Sequence, residues 1–311
     1  MIKKEKVLAW LQIARLQFYP MTFIAYSLGA AIAYSSRFFN LEIFIFGYVV
    51  LFLIELGTVL SNEYFDYSGD SVNKNASIFN GGSRVLVDEK LSFTEVREAL
   101  KLIFILIFIS GSILIYIAKN NSIISLILLI FLGIFLGLGY TIPPLKFCYR
   151  GLGEIVVGIT HSFYVIFCGY FFQVGLLNST LPFLSAIPLF FAVLGAIILA
   201  SIPDFEADKS VTKKTITVIF MPRIAAILSI IFILLAMVSG ILFWKLNMLN
   251  FSTGKLMLLT IPHALILFAV IVRFIKIGNF DRKINSIMQL ALSYIMWFGI
   301  VPLIYFLNAV K

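Results

Sequence analysis

Long apolar runs dominate this sequence and leave few folds open to it. Runs of about 17–25 apolar residues have the length that crosses a membrane as a helix, and they recur from one end of the chain to the other. Hydrophobic residues make up 61% of the 311 residues and charged residues 13%, whereas soluble domains contain roughly 45–50% apolar residues. The sequence therefore predicts an all-α, polytopic membrane protein.

Nine of these runs have the length and composition of membrane-spanning helices. No small-residue cleavage site follows the first run, so it is predicted to be a span and not a removable signal. We expect a single transmembrane domain, residues 1–311. The predicted spans are 17–36, 41–63, 101–118, 122–140, 153–172, 182–203, 222–243, 255–275 and 287–308.

Basic residues are distributed unevenly between the two sides that nine spans define. If the N-terminus lies inside, the inside segments carry 19 of the 24 Lys and Arg residues and the outside segments carry five. Cytoplasmic loops of membrane proteins have such an excess. The distribution predicts an N-terminus on the inside, and it accounts for the net charge of +9 without a nucleic-acid partner.

Two acidic runs interrupt the apolar sequence, each at the end of a predicted span. The first contains Asn62, Asp66 and Asp70 and the second contains Asp204 and Asp208, always four residues apart. On a helix this spacing places side chains on one face, with Cβ atoms about 5–6 Å apart. Carboxylates inside a membrane cost roughly 2.5–3.5 kcal/mol at a helix centre. Both runs fall on the predicted cytoplasmic side, and both need a compensating partner.

Divalent cations are the partner that this pattern indicates. Magnesium is held by oxygen ligands, often one or two carboxylates together with substrate phosphates. Two acidic helix ends that face each other across a cavity would bind cations bridged by a diphosphate, and the cations would neutralise the leaving group. The pattern therefore predicts a membrane enzyme that acts on a diphosphate.

The cysteines and histidines form no recognisable metal or redox motif. Cys148 and Cys168 belong to no CxxC pair and lie in apolar sequence, which is typical of buried packing residues. His161 and His263 stand apart from other metal-ligand types. Neither a zinc site nor a haem site is expected.

Two further segments fall on the side of the acids. Between the fourth and fifth spans, Lys146 and Arg150 either bind diphosphate oxygens or only add to the inside charge. After the second span, residues 80–84 (Asn-Gly-Gly-Ser-Arg) precede Ser92 and Glu95, whose spacing predicts a capping box and a short helix. That segment is either a lid over the site or an ordinary solvated loop.

Together these motifs resemble the intramembrane aromatic prenyltransferases of the UbiA type, over nearly the whole chain. The residues that carry the resemblance are Asn62, Asp66, Asp70, Tyr140, Lys146, Asp204 and Asp208. Residues 14–16, 140–154 and 203–209 are most similar to the 1,4-dihydroxy-2-naphthoate branch of menaquinone biosynthesis. Departures from the family pattern occur at 200–203, at Glu63 and at Glu55, where relatives commonly carry an amide or His.

The resemblance implies transfer of an isoprenyl group from a polyprenyl diphosphate to an aromatic acceptor, 1,4-dihydroxy-2-naphthoate. It implies a cavity open to the cytoplasmic side of the inner membrane. Two magnesium ions bridged by the diphosphate would be held by Asn62, Asp66, Asp70, Asp204 and Asp208. Lys146 and Tyr140 join the four aspartates in catalysis. The implied diphosphate-binding residues are Asn62, Arg84, Lys146, Arg150 and Lys214, and the implied acceptor-binding residues are Arg15 and Glu55.

Several alternatives stay open. The acceptor is either a naphthoate or another molecule, such as 4-hydroxybenzoate or a non-aromatic lipid precursor. Arg15 either clamps an acceptor carboxylate or extends to the interface as an ordinary basic residue. Glu55, two helical turns from Asn62 on nearly the same face, either orients an acceptor hydroxyl or is a hydrogen-bonded core acid.

Other protein classes fit the sequence less well. An ion-coupled secondary transporter usually carries its intramembrane acids near mid-membrane on broken helices, not at one end. A CDP-alcohol phosphotransferase would have an Asp-Gly-x-x-Ala-Arg run upstream of its DxxxD motif, and none precedes Asp66 or Asp204. An intramembrane aspartyl protease would place Asp70 in a Gly-x-Gly-Asp context, which is also missing.

Overall fold

The computed structural model describes residues 2–119, 121–248 and 251–309. Within these ranges the chain is helical and contains no strand, apart from one isolated pairing between Arg150 and Lys214. The α-helices are α1 (Ile2–Ala14), α2 (Tyr19–Ser35), α3 (Leu41–Phe65), α4 (Tyr67–Val72), α5 (Phe93–Ile117), α6 (Ile123–Gly139), α7 (Gly153–Ile159), α8 (Val165–Val174), α9 (Leu181–Ser201), α10 (Phe205–Ser210), α11 (Ile216–Phe243), α12 (Phe251–Gly254), α13 (Thr260–Ile277) and α14 (Asn285–Asn308).

Eight helical segments of the described ranges are long and apolar enough to cross a membrane. They are Leu16–Ser35, Leu41–Phe65, Phe93–Ile117, Gly153–Val174, Leu181–Ser201, Ile216–Leu246, Lys255–Ile277 and Asn285–Asn308. The remaining predicted span, 122–140, forms the shorter apolar helix α6 of 17 residues. At 1.5 Å per residue α6 is about 25 Å long, against roughly 30 Å of hydrocarbon. The predicted all-α membrane protein is confirmed, whereas nine spans and an inside N-terminus stay predictions.

Helix α5 begins earlier than its predicted span. Ser92 accepts a hydrogen bond from the backbone N–H of Glu95, and the Glu95 side chain accepts one from the backbone of Ser92, so the expected capping box is present. The prediction of a separate short helix is wrong, because α5 continues unbroken to Ile117. Glu98 and Lys101 pair at 2.9 Å on its exposed face, so the charged first turns belong to the same helix.

Two glycines allow α2 and α8 to pack backbone against backbone. A Cβ atom at Gly29 would lie 1.9 Å from the carbonyl oxygen of Ile166, and one at Gly169 would lie 2.1 Å from that of Tyr26. Small residues permit such close approach between membrane helices. This contact fixes α2 against α8, and both elements supply walls of the cavity described below.

The polar end of the bundle lies where α3 and α9 end. The short helix α4 follows α3 after Asp66, and the short helix α10 follows α9 after Asp204. Asn73, the residue after α4, donates a hydrogen bond of 2.7 Å to Asp204, the residue before α10. The two acidic segments therefore meet at one end of the helices.

Candidate active site

A cavity of about 310 Å³ lies among the helices. Its walls come from α2, α3, α6, α9, α14 and the segment from α7 to α8, and they are mainly apolar. The polar side chains are concentrated near the ends of α3 and α9. The cavity is lined there by Arg15, Asn62, Asp66, Asp70, Tyr140, Asp204, Asp208 and Lys213.

The spacing of the first acidic segment predicts one straight helical face, but the structure shows a break in the helix there. Helix α3 ends at Phe65, and Asp66 has φ −99° and ψ 6°, outside the helical range, before α4 begins. The helical hydrogen bonds nevertheless continue: Asp66 N–H donates to the Asn62 carbonyl at 2.8 Å, and Asp70 N–H to the Asp66 carbonyl at 3.1 Å. This local continuity keeps all three side chains on the cavity.

Lys213 joins the two acidic segments. Its ammonium lies 2.6 Å from Asp66 Oδ2 and 3.4 Å from Asp208 Oδ1. The other oxygen of Asp66 accepts a hydrogen bond of 2.6 Å from the Tyr149 hydroxyl. Burial raises the pKa of Asp208 to about 7, although the Lys213 ammonium opposes the shift. Burial by itself would lower the pKa of Lys213, but the Asp66 and Asp208 carboxylates raise it well above its ordinary value.

Asp204 holds the loop that follows α4. Its Oδ1 accepts hydrogen bonds from the side-chain amides of Asn73 at 2.7 Å and Asn80 at 2.6 Å, and its Oδ2 accepts one from the Gly81 N–H at 3.2 Å. Burial raises the pKa of Asp204 above its ordinary value, and the hydrogen bonds from Asn80 and Asn73 offset only part of this shift. The second acidic segment thus holds, through hydrogen bonds, the loop that follows the first acidic segment in sequence.

Glu63 fastens the same loop further along. Its two carboxylate oxygens accept hydrogen bonds from the backbone N–H and the hydroxyl of Ser83, each at 2.6 Å. Gly82, between the two anchor points, has φ +67°, and a Cβ atom there would lie 2.1 Å from Asp70 Oδ2. Glycine is needed for this close approach of the backbone to the acid. The loop is therefore packed onto the acidic residues and not spread in solvent.

Asp70 differs from the other carboxylates of the site. Its Oδ2 is buried and has no hydrogen-bond partner among the described residues. Burial raises the pKa of Asp70 well above its ordinary value, and the neighbouring Asp66 and Glu63 carboxylates raise it further. A buried unpaired carboxylate oxygen costs free energy, and it is a free ligand atom within the cavity.

These residues fit a divalent cation that binds together with a diphosphate. In the part of the chain that the structure describes, no three Asp, Glu, His or Cys side chains form a metal cluster by themselves. The available donors are carboxylate oxygens, which magnesium prefers, and magnesium commonly completes its shell with water and substrate phosphates. The unpartnered Asp70 oxygen is the observation that favours such a ligand.

The four basic residues expected to bind diphosphate do not line the cavity. The Lys146 ammonium stacks on the Tyr149 ring at 4.6 Å from its centroid. Arg150 is exposed and donates to the Pro144 carbonyl at 2.7 Å. Arg84 donates to the Asp70 carbonyl at 3.2 Å and pairs with Asp88 at 3.5 Å. Lys214 is exposed, and its backbone N–H bonds to the Tyr149 carbonyl at 3.3 Å.

The turn after α10 explains why Lys213 faces the cavity and Lys214 does not. Helix α10 ends at Ser210, and Thr212 has φ 58°, which reverses the chain. Lys213 then points back to the acids, and Lys214 points outward. The sequence gives one signal for this residue, a Lys-Lys pair directly after the second acidic run. That signal does not tell which of the two lysines turns inward.

The other predicted residues do line the cavity. Asn62 donates through its side-chain amide to the Thr141 hydroxyl at 3.0 Å, beside Tyr140. Arg15 has φ 50°, and its guanidinium lies 5.1 Å from the centre of the Phe18 ring. Glu55 lies further into the cavity, with its Oε1 3.7 Å from His161 Nε2. Sequence reasoning assigned no role to His161, Tyr149, Asn73 or Asn80, because nothing in the sequence shows what they face.

The protein is all-helical over the described residues, and its carboxylates line one cavity at one end of the spans. A family model for the UbiA prenyltransferase family matches residues 22–307. The chain belongs to this family.

Two similar proteins have different enzyme names. The chain is 28% identical over 190 residues to a digeranylgeranylglyceryl phosphate synthase of Methanobrevibacter smithii, a match that covers 60% of this chain and 61% of the relative. It is 26% identical over 220 residues to a 1,4-dihydroxy-2-naphthoate octaprenyltransferase of Haemophilus influenzae, covering 69% of this chain and 70% of the relative. The chain thus spans less than two thirds of the first relative's length.

Solved structures share the fold. A UbiA homologue of Aeropyrum pernix superposes with a TM-score of 0.65 at 19% identity, over 90% of this chain and 96% of that one. A UbiA homologue of Archaeoglobus fulgidus bound to GPP and Mg²⁺ gives a TM-score of 0.58 at 15% identity, over 94% and 99%. At these identities the comparison establishes the UbiA fold.

Proposed function

We propose that this protein transfers an isoprenyl group from a polyprenyl diphosphate to 1,4-dihydroxy-2-naphthoate, with magnesium as the cofactor. The observation that carries the proposal is the Asp66–Lys213–Asp208 contact at the polar end of an otherwise apolar cavity. Carboxylates and an ammonium in one buried cluster suit a diphosphate and its cations. The Archaeoglobus fulgidus homologue bound to GPP and Mg²⁺ supports the same donor and ion.

The apolar side of the cavity suits the isoprenyl chain. The cavity residues of α14 are Met288, Leu292 and Ile295, and none of them is polar. The α9 wall is apolar as well until its last residue, Ser201. Because hydrocarbon is stabilised when it leaves water for an apolar surface, the isoprenyl tail would lie along these two helices while its diphosphate remains at the acids.

Asp66, Asp70, Asp204 and Asp208 would hold magnesium, with the Asn62 oxygen as a neutral ligand. Magnesium would supply charge neutralisation for the departing diphosphate. Lys213 holds a further positive charge between Asp66 and Asp208, where it stabilises the negative charge that develops on the leaving oxygen. The allylic carbon–oxygen bond breaks with its electron pair on the diphosphate, and the electron-rich ring carbon then forms the new carbon–carbon bond.

Sequence similarity and the position of Arg15 support the naphthoate acceptor. Residues 14–16, 140–154 and 203–209 are most similar to that branch, and a Haemophilus influenzae relative carries that name. Arg15 lines the cavity and can bind the ring carboxylate, which leaves as carbon dioxide after attack. A glyceryl phosphate lipid with a free hydroxyl is the second candidate acceptor, because the Methanobrevibacter smithii relative is named a digeranylgeranylglyceryl phosphate synthase. 4-Hydroxybenzoate is a third.

The proposal includes the orientation of the protein. With nine spans, of which α6 is the shortest, the N-terminus and the acidic residues would lie on the cytoplasmic side of the inner membrane. The excess of basic residues in the loops on that side supports it. Because the acids lie together at one end of the spans and not at mid-membrane, a prenyltransferase is favoured over an ion-coupled transporter.

One incubation tests the reaction and the acceptor. Membranes containing the protein receive magnesium, a labelled prenyl diphosphate, and 1,4-dihydroxy-2-naphthoate, 4-hydroxybenzoate or geranylgeranylglyceryl phosphate in turn. We expect a prenylated naphthalene that has lost its carboxylate, identified by mass spectrometry. Glu206→Ala is the matched control for Asp208→Ala, because Glu206 lies on the same helix but is exposed. No transfer to any acceptor, or an active Asp208→Ala variant, would contradict the proposal.

A further inference from the structure

A partly buried polar pair lines the cavity away from its acidic end. Glu55 belongs to α3 and His161 to a π-helical turn, Thr160–Tyr164, between α7 and α8. Both side chains line the cavity. Turns of π-helix are rare and occur frequently at functional sites. This turn brings the imidazole of His161 towards Glu55, with 3.7 Å between Nε2 and Oε1.

Hydrogen bonds fix which imidazole nitrogen carries a proton. His161 Nδ1 lies 3.1 Å from the Val157 carbonyl oxygen, which can only accept, so Nδ1 is the donor. The Thr160 hydroxyl donates its proton to the Val156 carbonyl at 2.9 Å, so towards His161 Nδ1 its oxygen can only accept a hydrogen bond. Nε2 is therefore the nitrogen that faces the cavity and Glu55.

Glu55 and His161 do not satisfy each other. Their separation of 3.7 Å exceeds hydrogen-bonding distance, and Glu55 Oε2 is buried with no hydrogen-bond partner among the described residues. Thr58, one turn further along α3, donates its hydroxyl to the Ile54 carbonyl at 2.8 Å and so does not serve Glu55. A buried acceptor without a donor destabilises the protein. A ligand that brings a donor would remove this cost.

We propose that Glu55 and His161 together bind a hydroxyl group of the acceptor. The hydroxyl would donate its proton to the unpartnered Glu55 oxygen, and His161 Nε2, which lacks a proton, would be the second acceptor of the same hydrogen bond. The pair would thus select an acceptor that carries a hydroxyl, either a phenol or a lipid alcohol, over one that lacks it. The inference rests on the proposed prenyl transfer and assigns to the same cavity the group that recognises the second substrate.

The distance from the diphosphate site fits this role. Glu55 and Asn62 are seven residues apart in the unbroken helix α3, which corresponds to about 10 Å along its axis. An aromatic ring, or the headgroup of a lipid alcohol, would occupy that interval. Its reacting atom would then face the allylic carbon while a hydroxyl reaches Glu55 and His161. The wall residues Leu51, Ile54 and Val157 are apolar, and Thr22, Thr58 and Thr160 also line the cavity.

The test measures recognition of the hydroxyl without relying on turnover. Purified full-length protein in detergent is titrated with 1,4-dihydroxy-2-naphthoate and with its dimethyl ether, and separately with geranylgeranylglyceryl phosphate and its O-methyl ether. Binding is followed by the shift in thermal unfolding temperature. We expect one hydroxylated probe to bind at least about tenfold more tightly than its ether, a preference of about 1.4 kcal/mol.

Glu55→Gln and His161→Gln should reduce that preference about fivefold or more and leave the affinity for geranyl diphosphate with magnesium unchanged. His263→Gln is the matched control: His263 also makes buried hydrogen bonds, to Leu290 and Trp297, but does not line the cavity. It should lower the unfolding temperature without changing the preference. If His161→Gln does not fold, Glu55→Gln alone decides.

Either of two results overturns the inference: wild-type protein that does not prefer a hydroxylated probe, or variants that keep the full preference. Failure of the proposed function gives a different result. It would show as geranyl diphosphate that does not bind, or as transfer that survives Asp66→Ala, and neither measurement involves Glu55 or His161.

Discussion

The two acidic segments carry the same four-residue spacing but meet different surroundings. In the second segment, Asp204 accepts three hydrogen bonds from Asn73, Asn80 and Gly81. In the first, Asp70 Oδ2 has no partner among the described residues. Asp70 is buried and Asp204 partly buried, and both carboxylates line one cavity. The comparison shows that two motifs with the same spacing can have different roles. Asp204 holds a loop through hydrogen bonds, whereas an oxygen of Asp70 stays available to a ligand.

Asp66 should show the largest effect, because it touches both sides of the site through Lys213 and Tyr149. Asp66→Ala is expected to reduce prenyl transfer by about 10²–10³-fold, the range seen when one electrostatic contact to a transition state is removed. The measurement is product formation from labelled geranyl diphosphate in purified protein. A variant that is folded by size-exclusion chromatography and retains wild-type turnover would exclude the assigned role.

Asp70→Asn and Asp204→Asn test the comparison directly. Both should lose activity, but Asp204→Asn also replaces the acceptor of three donors, which costs about 1–3 kcal/mol of stability. Asp70 Oδ2 has no bond to lose and its charge is disfavoured by burial, so Asp70→Asn should unfold at or above the wild-type temperature. Thermal unfolding without substrate gives the answer. Equal unfolding temperatures for the two variants would show that the acids do not differ as described.

Lys213→Gln and Lys214→Gln form a matched pair of neighbouring substitutions. Lys213 contacts Asp66 and Asp208, whereas Lys214 is exposed. We expect about tenfold weaker binding of geranyl diphosphate for Lys213→Gln, in line with the loss of one charge-assisted contact of roughly 1.5 kcal/mol, and little change for Lys214→Gln. Equilibrium binding of labelled donor measures both. The reverse order would show that Lys214, as the sequence first suggests, is the donor ligand.

Lys146→Ala should give the smallest effect. The Lys146 ammonium lies over the Tyr149 ring, and Tyr149 in turn donates to Asp66. The substitution therefore reaches the site only through a neighbour, and we expect donor binding to weaken by no more than about threefold, less than the roughly 1 kcal/mol of an exposed cation–π contact. A loss as large as that of Lys213→Gln would place Lys146 on the diphosphate after all.

Apolar run lengths and the two acidic runs were sufficient to predict the all-α membrane class and the convergence of Asp66, Asp70, Asp204 and Asp208 on one cavity. Both signals are local in sequence. The choice of Lys213 over Lys214 depends on the positive φ of Thr212, and the bonds from Asn73 and Asn80 to Asp204 join residues more than 120 positions apart. The Glu55–His161 pair also requires a π-turn that no sequence pattern marks. Such features depend on tertiary contacts, which a single sequence does not show.

Both carboxylate oxygens of Asp204 are occupied by groups of the loop after α4. A cation that recruits either oxygen must therefore compete with an amide or a backbone N–H for the same lone pairs. Binding of the ion to Asp204 and release of the loop from Asp204 would therefore involve the same two oxygen atoms. The residue that would help to bind the cation also holds the loop after α4 in position.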